Sequence, residues 1–285
     1  MKVRVGVAGV LALFLILAFG ARSPVAADGP AGGALYGKFV WNDLLTKDLP
    51  AARAFYASMF GWTFREQTRE GRPYLIAELD GKPVAGLLDV HDMKEADPQW
   101  VCFVSVPDVD AVAEQVRAAG GKVLVAPRAV KVGGRAAVVS DPQGAPLGVA
   151  RLTGGDPADA AEPVVGRFFW AEYLAKDGPQ ALEFYKKLLG YDAAESDAGE
   201  GMHYFVLKHD RPRAGLFQLP DSVTGVRPNW LPYLRVADPA AAADKAKSLG
   251  GKVILQPSPE RRKGTLAIVT DPGGAALALQ KLPIS

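Results

Sequence analysis

The hydrophobic pattern of this chain repeats after 129 residues, from Gly37 to Gly166. The stretch 37–61 reads GKFVWNDLLTKDLPAARAFYASMFG, and the stretch 166–190 reads GRFFWAEYLAKDGPQALEFYKKLLG. In both copies a short apolar run precedes apolar residues at i, i+3, i+4, i+7 and i+8, which share one helix face. These positions hold Ala52, Phe55, Tyr56, Met59 and Phe60, and then Ala181, Phe184, Tyr185, Leu188 and Leu189. Each copy is therefore predicted to form a strand followed by an amphipathic helix.

Residues that begin and end helices stand at matching places in the two copies. Asp48 can accept hydrogen bonds from the free N–H groups of the first turn, and Pro50 follows where a missing N–H costs little. Gly61 ends the pattern, because glycine adopts the left-handed C-terminal conformation at low cost. The second copy has the same residue types at Asp177, Pro179 and Gly190. An internal duplication is the simplest account of this agreement.

The remainder of each half predicts short strands and one more helix. The first half continues with strands at 62–66, 74–79 and 84–88, a strand at 100–106, a helix at 109–119 and strands at 123–126, 136–140 and 147–151. Trp230, Gly250-Gly251 and Asp271-Pro272 follow Trp100, Gly120-Gly121 and Asp141-Pro142 by 130 residues. We therefore predict an α+β fold of four tandem βαβββ units, which form two cupped mixed β-sheet modules with helices on their outer faces. The first module is placed at 36–152, a linker at 153–164 and the second module at 165–283.

Composition narrows the possible partners only slightly. The 285-residue chain has a net charge of +2 with scattered Lys and Arg, so no nucleic-acid surface is expected. Cys102 is the single cysteine, which rules out an intrachain disulfide. Strand alternation places it on the opposite face from Val101 and Phe103, as a packed core thiol.

The N-terminal segment has the pattern of an export signal. Lys2 and Arg4 precede an apolar run at 5–19, and the small residues at 25–27 provide a cleavage site. We expect a signal peptide at 1–27, a loose tether at 28–35, and a secreted or periplasmic protein without stable membrane association after cleavage. Retention of the segment as an uncleaved anchor is the alternative.

Several motifs resemble those of the vicinal oxygen chelate superfamily, which includes glyoxalase I, bleomycin-resistance proteins and extradiol dioxygenases. They are the KDLP helix start with Phe55-Tyr56, the Phe60-Gly61-Trp62 run, the Gly-Gly-Lys-Val turn at 120–123 and the Asp-Pro turn at 141–144. The resemblance extends over almost everything from Tyr36 to Leu282. It implies two modules, each a cupped sheet built from two βαβββ units. In this superfamily a divalent metal usually lies inside the cup.

The resemblance also implies four strand positions for the metal ligands of each module. They hold Trp41, Gly86, Val101 and Gly148 in the first module and Trp170, Gly215, Leu231 and Ala278 in the second. None of these side chains is an imidazole, carboxylate or thiolate, the donors that bind zinc, nickel or iron. We therefore expect no metal and no cofactor. His91, His203 and His209 come from separate places and are expected to have solvated or capping roles.

Strand alternation extends the prediction to the lining of the cups. If Trp41 and Trp170 face the cups, each is joined by a carboxylate two residues later and by side chains from the neighbouring strand. The predicted ligand-binding residues are Trp41, Asp43, Phe103 and Ser105 in the first cup, and Trp170, Glu172, Tyr233 and Arg235 in the second. The equally weighted alternative is that each Trp only fills the space of the missing metal, with the carboxylate as its hydrogen-bond partner. An ion pair between Glu172 and Arg235 is also expected, which makes the first cup the more selective for cations.

The favoured function is an exported protein that binds a small, aromatic or cationic molecule in a metal-free cup, by analogy with bleomycin-resistance proteins. A metal-dependent lyase, isomerase or dioxygenase of glyoxalase type is the first alternative. A structural or protein-interaction module is the second. A homodimer is left open.

Overall fold

A computed structural model of the chain describes residues 33–130, 133–197, 203–259 and 262–282. The predicted signal peptide lies outside these residues. In the first module the strands are β1 (Phe39–Thr46), β2 (Thr63–Arg69), β3 (Arg72–Leu79), β4 (Lys82–Asp89), β5 (Gln99–Ser105), β6 (Lys122–Ala129), β7 (Gly134–Ser140) and β8 (Pro146–Leu152). The helices are α1 (Leu49–Phe60) and α2 (Val109–Ala118).

The second module repeats this order of elements. Its strands are β9 (Phe168–Ala175), β10 (Asp192–Asp197), β11 (His203–Lys208), β12 (Pro212–Gln218), β13 (Asn229–Arg235), β14 (Lys252–Leu255), β15 (Leu266–Thr270) and β16 (Ala276–Gln280). Its helices are α3 (Gly178–Leu189) and α4 (Pro239–Ser248), and a short 3₁₀ turn (Arg262–Gly264) precedes β15.

Each module contains one eight-stranded mixed sheet, in the order β2-β3-β4-β1-β5-β8-β7-β6 and β10-β11-β12-β9-β13-β16-β15-β14. The first and last strands of a βαβββ unit pair in parallel, as β1 does with β4 and β5 with β8. The two units meet through the antiparallel pairs β1–β5 and β9–β13. The prediction of four tandem βαβββ units in two cupped sheets is confirmed.

The predicted helix boundaries have the expected caps. The Asp48 carboxylate accepts from the backbone N–H of Ala51 at 2.9 Å, and the Asp177 carboxylate accepts from that of Gln180 at 3.0 Å. Gly61 adopts the left-handed conformation at φ 72°, which closes α1 with a hydrogen bond to the carbonyl of Ala57. Among the described residues, no helix is long and apolar enough to cross a membrane.

The helices cover the convex faces of the sheets, and these faces of the two modules pack against each other. One buried cluster joins Val116 of α2 to Leu188 of α3, and a second joins Phe55 of α1 to Ala246 of α4. Each cluster therefore contains one unit from each module. Cys102 lies in the first cluster, fully buried, and burial raises the pKa of its thiol. The concave faces are left as two separate cups.

Repeated motifs meet across this interface through hydrogen bonds. The hydroxyl of Tyr56 on α1 donates to Asp271 Oδ2 of the second module at 3.1 Å and accepts from Trp100 Nε1 at 3.2 Å. Asp271 also accepts from the backbone N–H groups of Gly274 and Ala275 at 2.8 and 2.9 Å. The Asp-Pro turn of one module is thus bonded to a helix of the other.

The reciprocal connection uses the second copies of the same residues. Tyr185 on α3 donates to Asp141 Oδ2 of the first module at 2.9 Å and accepts from Trp230 Nε1 at 3.0 Å. Tyr173 on β9 donates to the same carboxylate oxygen. Because these polar groups are buried, each hydrogen bond prevents an unsatisfied donor or acceptor in the interface.

Candidate functional site

The four strand positions that the family resemblance assigns to a metal lie in two adjacent rows of each sheet. In the first module Trp41 pairs with Phe103, which pairs with Gly148, and Asp43 pairs with both Gly86 and Val101. In the second module the equivalent rows are Trp170–Tyr233–Ala278 and Gly215–Glu172–Leu231. The prediction that an indole and a carboxylate share each concave face therefore agrees with the register.

A buried carboxylate lies at the centre of the first cup. Asp43 Oδ1 accepts from Trp41 Nε1 and from the Tyr74 hydroxyl, both at 2.8 Å, and its Oδ2 accepts from Arg69 Nη1 at 3.0 Å. The guanidinium of Arg69 also stacks on the Tyr74 ring, with its carbon 3.5 Å from the ring centroid. Burial raises the pKa of the Tyr74 hydroxyl, which keeps it protonated and donating. The charge of Asp43 is thus compensated within this cup by Arg69.

The first cup is filled by its own side chains. Trp41 and Phe103 are 4% and 0% exposed and belong to a continuous buried cluster. Val90 and Ala96 of the β4–β5 segment and Val130 after β6 complete this cluster. The interpretation of Trp41 as a space-filling residue with Asp43 as its hydrogen-bond partner therefore describes this cup.

The glycines at two family ligand positions explain how the cup closes. A Cβ atom on Gly86 would lie 1.8 Å from the Tyr74 hydroxyl and 2.1 Å from Asp43 Oδ1. On Gly148 it would lie 2.2 Å from the Phe103 ring. Any larger residue at these places would collide with the side chains that occupy the cup.

The second cup also holds a carboxylate, but its partners differ. Glu172 Oε1 accepts from the Tyr233 hydroxyl at 2.8 Å, and Oε2 accepts from Arg262 Nη2 at 2.7 Å. Tyr204 lies beside this group, with the guanidinium carbon of Arg262 5.6 Å from its ring centroid. Burial raises the pKa values of both tyrosines, and the Glu172 charge adds to this effect. Burial lowers the pKa of Arg262, but Glu172 and the two tyrosines together outweigh it, so the guanidinium stays charged.

The second cup is more open than the first. Trp170, Leu174, Tyr204 and Ile268 are half-buried, whereas Trp41, Leu45 and Tyr74 of the first cup are buried. The segment 219–228 between β12 and β13 corresponds to the β4–β5 segment, and its Val223 and Val226 are 42% exposed. Among the described residues, this segment adds nothing to the apolar cluster of the cup. The second cup therefore has partly exposed aromatic side chains beside a partly buried Glu172–Arg262 ion pair.

Ser105 and Arg235 bind the linker and not the carboxylates of the cups. Ser105 Oγ donates to Asp156 Oδ2 at 2.6 Å, and Arg235 forms an ion pair with Glu162 at 2.6 Å. The expected pair between Glu172 and Arg235 is wrong, because Arg262 occupies that role. The register shifts after Tyr233, and Arg235 also donates to the carbonyl of Pro163.

The donor chemistry of the cups does not fit the family metal. Each cup offers one carboxylate, and in both cases that group is bound to an arginine and to a tyrosine hydroxyl. No group of three or more His, Cys, Asp or Glu side chains converges in the described ranges. His91 and His203 are exposed and contact Asp89 and Glu195 at 2.7 and 2.9 Å.

A groove of about 770 Å³ lies away from both cups, beside the start of α3. Its walls include the exposed Glu195–His203 pair and Gln143. Gln143 Oε1 already accepts from the backbone N–H groups of Lys176 and Asp177 at 3.0 and 2.9 Å. This groove contains none of the predicted site residues, and we favour the second cup on its polar and aromatic lining.

The structure adds four site residues that the sequence interpretation missed, namely Arg69, Tyr74, Tyr204 and Arg262. Tyr74 and Tyr204 could have been found from strand pairing, since each lies beside the strand that carries the ligand-position glycine. The two arginines lie at different places of the repeat, on β2 and before β15, so no repeat position marks them.

A family model described as Glyoxalase/Bleomycin resistance protein/Dioxygenase superfamily matches residues 38–149 and 167–279. The chain belongs to this superfamily. Within it, the chain is 32% identical over 245 residues to CFP32 of Mycobacterium bovis, whose name proposes a glyoxylase, covering 85% of this chain and 93% of the relative. It is also 32% identical over 260 residues to the anthracycline biosynthesis protein DauV of Streptomyces sp. strain C5, covering 85% and 92%.

Solved structures of the superfamily share the fold. The Mn(II)-bound glyoxalase of Novosphingobium aromaticivorans has a TM-score of 0.57 at 18% identity, covering 86% of this chain and 82% of that chain. The 2,2',3-trihydroxybiphenyl 1,2-dioxygenase of Sphingomonas wittichii strain RW1 has a TM-score of 0.59 at 16% identity, covering 86% and 90%. At these identities the comparison establishes the architecture of two tandem modules.

Proposed function

We propose that this protein binds a small, flat aromatic molecule in its second cup without the help of a metal. The observation that carries the proposal is the difference between the two cups. The first is closed by its own packed side chains, whereas the second has half-buried aromatic residues above a Glu172–Arg262 ion pair. Concave apolar surfaces with a few fixed polar groups are typical of small-molecule sites.

The chemistry of the second cup favours an aromatic ligand. Trp170 and Tyr204 present ring surface, and offset or edge-to-face contacts between rings add about 0.5–1.5 kcal/mol beyond area burial. Similarity to an anthracycline biosynthesis protein supports the same ligand class, because an anthracycline is a fused aromatic system.

The alternatives make different demands on the residues. A glyoxalase-type lyase or dioxygenase would need metal ligands on the four central strands, and the residues there supply one arginine-bound carboxylate in each cup. In a purely structural module we would expect Trp170 to be packed as fully as Trp41, but Trp170 is only half-buried. We therefore place small-molecule binding first.

The test is calorimetric titration of chelator-treated protein with flat aromatic compounds, an anthracycline among them. Binding with unchanged affinity before and after chelation supports the proposal. Trp170→Ala should weaken that binding by up to about tenfold, since ring contacts add roughly 0.5–1.5 kcal/mol beyond area burial. Trp41→Ala is the matched control and should leave affinity unchanged. Loss of binding on chelation, or equal effects of the two variants, would contradict the proposal.

Export is proposed on the sequence pattern alone. The basic start, the apolar run and the small residues at 25–27 support a signal peptide cleaved after Ala27. N-terminal sequencing of the exported protein should begin at Asp28. Protein that retains Met1 in a membrane fraction would favour the anchor instead.

A further inference from the structure

One cation of the proposed site is partly exposed. Arg262 reaches from the turn before β15 to Glu172, with Nη2 2.7 Å from Oε2. Its side chain is 27% exposed, whereas that of Glu172 is 7% exposed. In the first cup the equivalent ion pair of Arg69 and Asp43 is 2% and 0% exposed. The second cup thus differs from the first in presenting a positive group at its surface.

The carboxylate under this cation has its own donors. Glu172 Oε1 accepts from Tyr233 and Oε2 accepts from Arg262, so each carboxylate oxygen already has a donor from the protein. A carboxylate whose charge is already compensated by a neighbouring guanidinium attracts a ligand cation only weakly. A molecule that enters the cup therefore meets the guanidinium before it meets the carboxylate.

The guanidinium retains capacity for a second anion. Arginine has five N–H donors in one plane, and the contact with Glu172 comes from Nη2. The carbon of the guanidinium lies 5.6 Å from the Tyr204 ring centroid and 5.5 Å from that of Tyr233, which holds the side chain between two rings. A side chain held in this way loses little freedom when it binds a carboxylate in the fork geometry.

We propose that Arg262 selects aromatic carboxylates as the ligands of the second cup. This inference rests on the proposed function. The aromatic ring of the ligand lies against Trp170, which neighbours Tyr233 across the strand pair, and its carboxylate binds the exposed N–H groups of Arg262. The preference is opposite in sign to the cation binding that the sequence predicted for the first cup.

Three naphthalene probes with one ring system test this proposal by calorimetric titration of the full chain. They are 2-naphthoate, 2-naphthylmethanol and 2-naphthylmethylammonium. We expect 2-naphthoate to bind at least about tenfold tighter than the alcohol, because charge-assisted hydrogen bonds are stronger than neutral ones. The ammonium probe should bind weakest.

Variants then assign the preference to one residue. Arg262→Gln should reduce 2-naphthoate affinity to that of the alcohol and leave the alcohol unchanged. Lys263→Gln, which removes the same charge from the exposed neighbour, should preserve the preference. Arg262→Gln alone leaves the buried Glu172 carboxylate unpaired and could unfold the protein. In that case the double variant Glu172→Gln with Arg262→Gln replaces it, because it removes both charges together.

The outcomes separate this inference from the function on which it rests. Equal affinities for naphthoate and the alcohol, or tighter binding of the ammonium, would overturn the role of Arg262 while leaving aromatic binding in place. A preference for naphthoate that survives Arg262→Gln would also overturn it. Absence of binding by all three probes would overturn both.

Discussion

The two tryptophans at the same repeat position have different surroundings. Trp41 is 4% exposed and donates to Asp43 at 2.8 Å, whereas Trp170 is half-buried beside Tyr233. Strand alternation predicts the direction of both side chains. It cannot predict which cup is filled, because that depends on segments that pack over the rim from elsewhere in the chain.

Alanine at the two positions should therefore affect stability unequally. Trp41→Ala should lower the free energy of unfolding by about 3–5 kcal/mol, as for other large core truncations, because it removes a buried ring and a donor to Asp43. Trp170→Ala should cost less, since its side chain is already partly exposed to solvent. Denaturant unfolding of both variants measures the difference. Equal losses would contradict the assignment of a packed first cup.

The carboxylate of Asp159 in the linker makes the stability of the folded protein depend on pH in the acidic range. Asp159 accepts from Arg213 at 2.7 Å and pairs with Lys38 at 2.9 Å, so it ties the linker to both modules. Partial burial opposes ionisation, but the hydrogen bonds from Arg213 and Lys38 lower the pKa of Asp159 to about 2.

Because the folded-state pKa is lowered, this stabilisation is present above the unfolded pKa of about 4 and is lost as the pH falls through about 2. Asp159→Asn should reduce the free energy of unfolding at pH 6 and have little effect near pH 2. Parallel denaturation of wild type and variant at both values checks this. A deficit that stays constant with pH would argue against the ionised carboxylate.

At the scale of elements, the repeated Tyr and Asp-Pro motifs form hydrogen bonds across the interface between the modules rather than within one module. Sequence reasoning places Tyr56 and Tyr185 on the buried helix stripe, and the structure agrees. It assigns them only to the core, because nothing in the periodicity shows that their hydroxyls bind the Asp-Pro turns of the opposite module. The recurrence of Tyr, Trp and Asp in both halves was the available signal.

Tyr56→Phe should lower the free energy of unfolding by about 1–3 kcal/mol, because it leaves the buried Asp271 carboxylate and the Trp100 indole without this partner. Tyr36→Phe, outside both connections, serves as the control and should change stability by less. Thermal denaturation compares them. Equal melting temperatures for wild type and Tyr56→Phe would show that the hydrogen bond contributes nothing.

At the scale of the whole molecule, the two modules share their apolar cores. The two buried clusters between the convex faces each combine residues of the first module with residues of the second. The sequence predicts the two modules from their repeat. It does not predict the contact between their convex faces, because the apolar residues of these faces come from separate elements and form one surface only after the sheets have folded.

The shared cores predict that the full chain unfolds in one cooperative transition. Separation of the modules would expose the apolar faces of α1 to α4 to water. Differential scanning calorimetry should give a single peak whose van't Hoff and calorimetric enthalpies agree. Two resolved peaks would show that the modules unfold independently.

The central claim is that the second cup, and not the first, receives an aromatic ligand. A crystal structure of the protein with 2-naphthoate tests it most directly. The account predicts one ligand against Trp170, with its carboxylate within hydrogen-bond distance of Arg262, and the first cup still closed around Trp41 and Asp43. A ligand bound in the first cup, or one in the second cup whose carboxylate points away from Arg262, would contradict it.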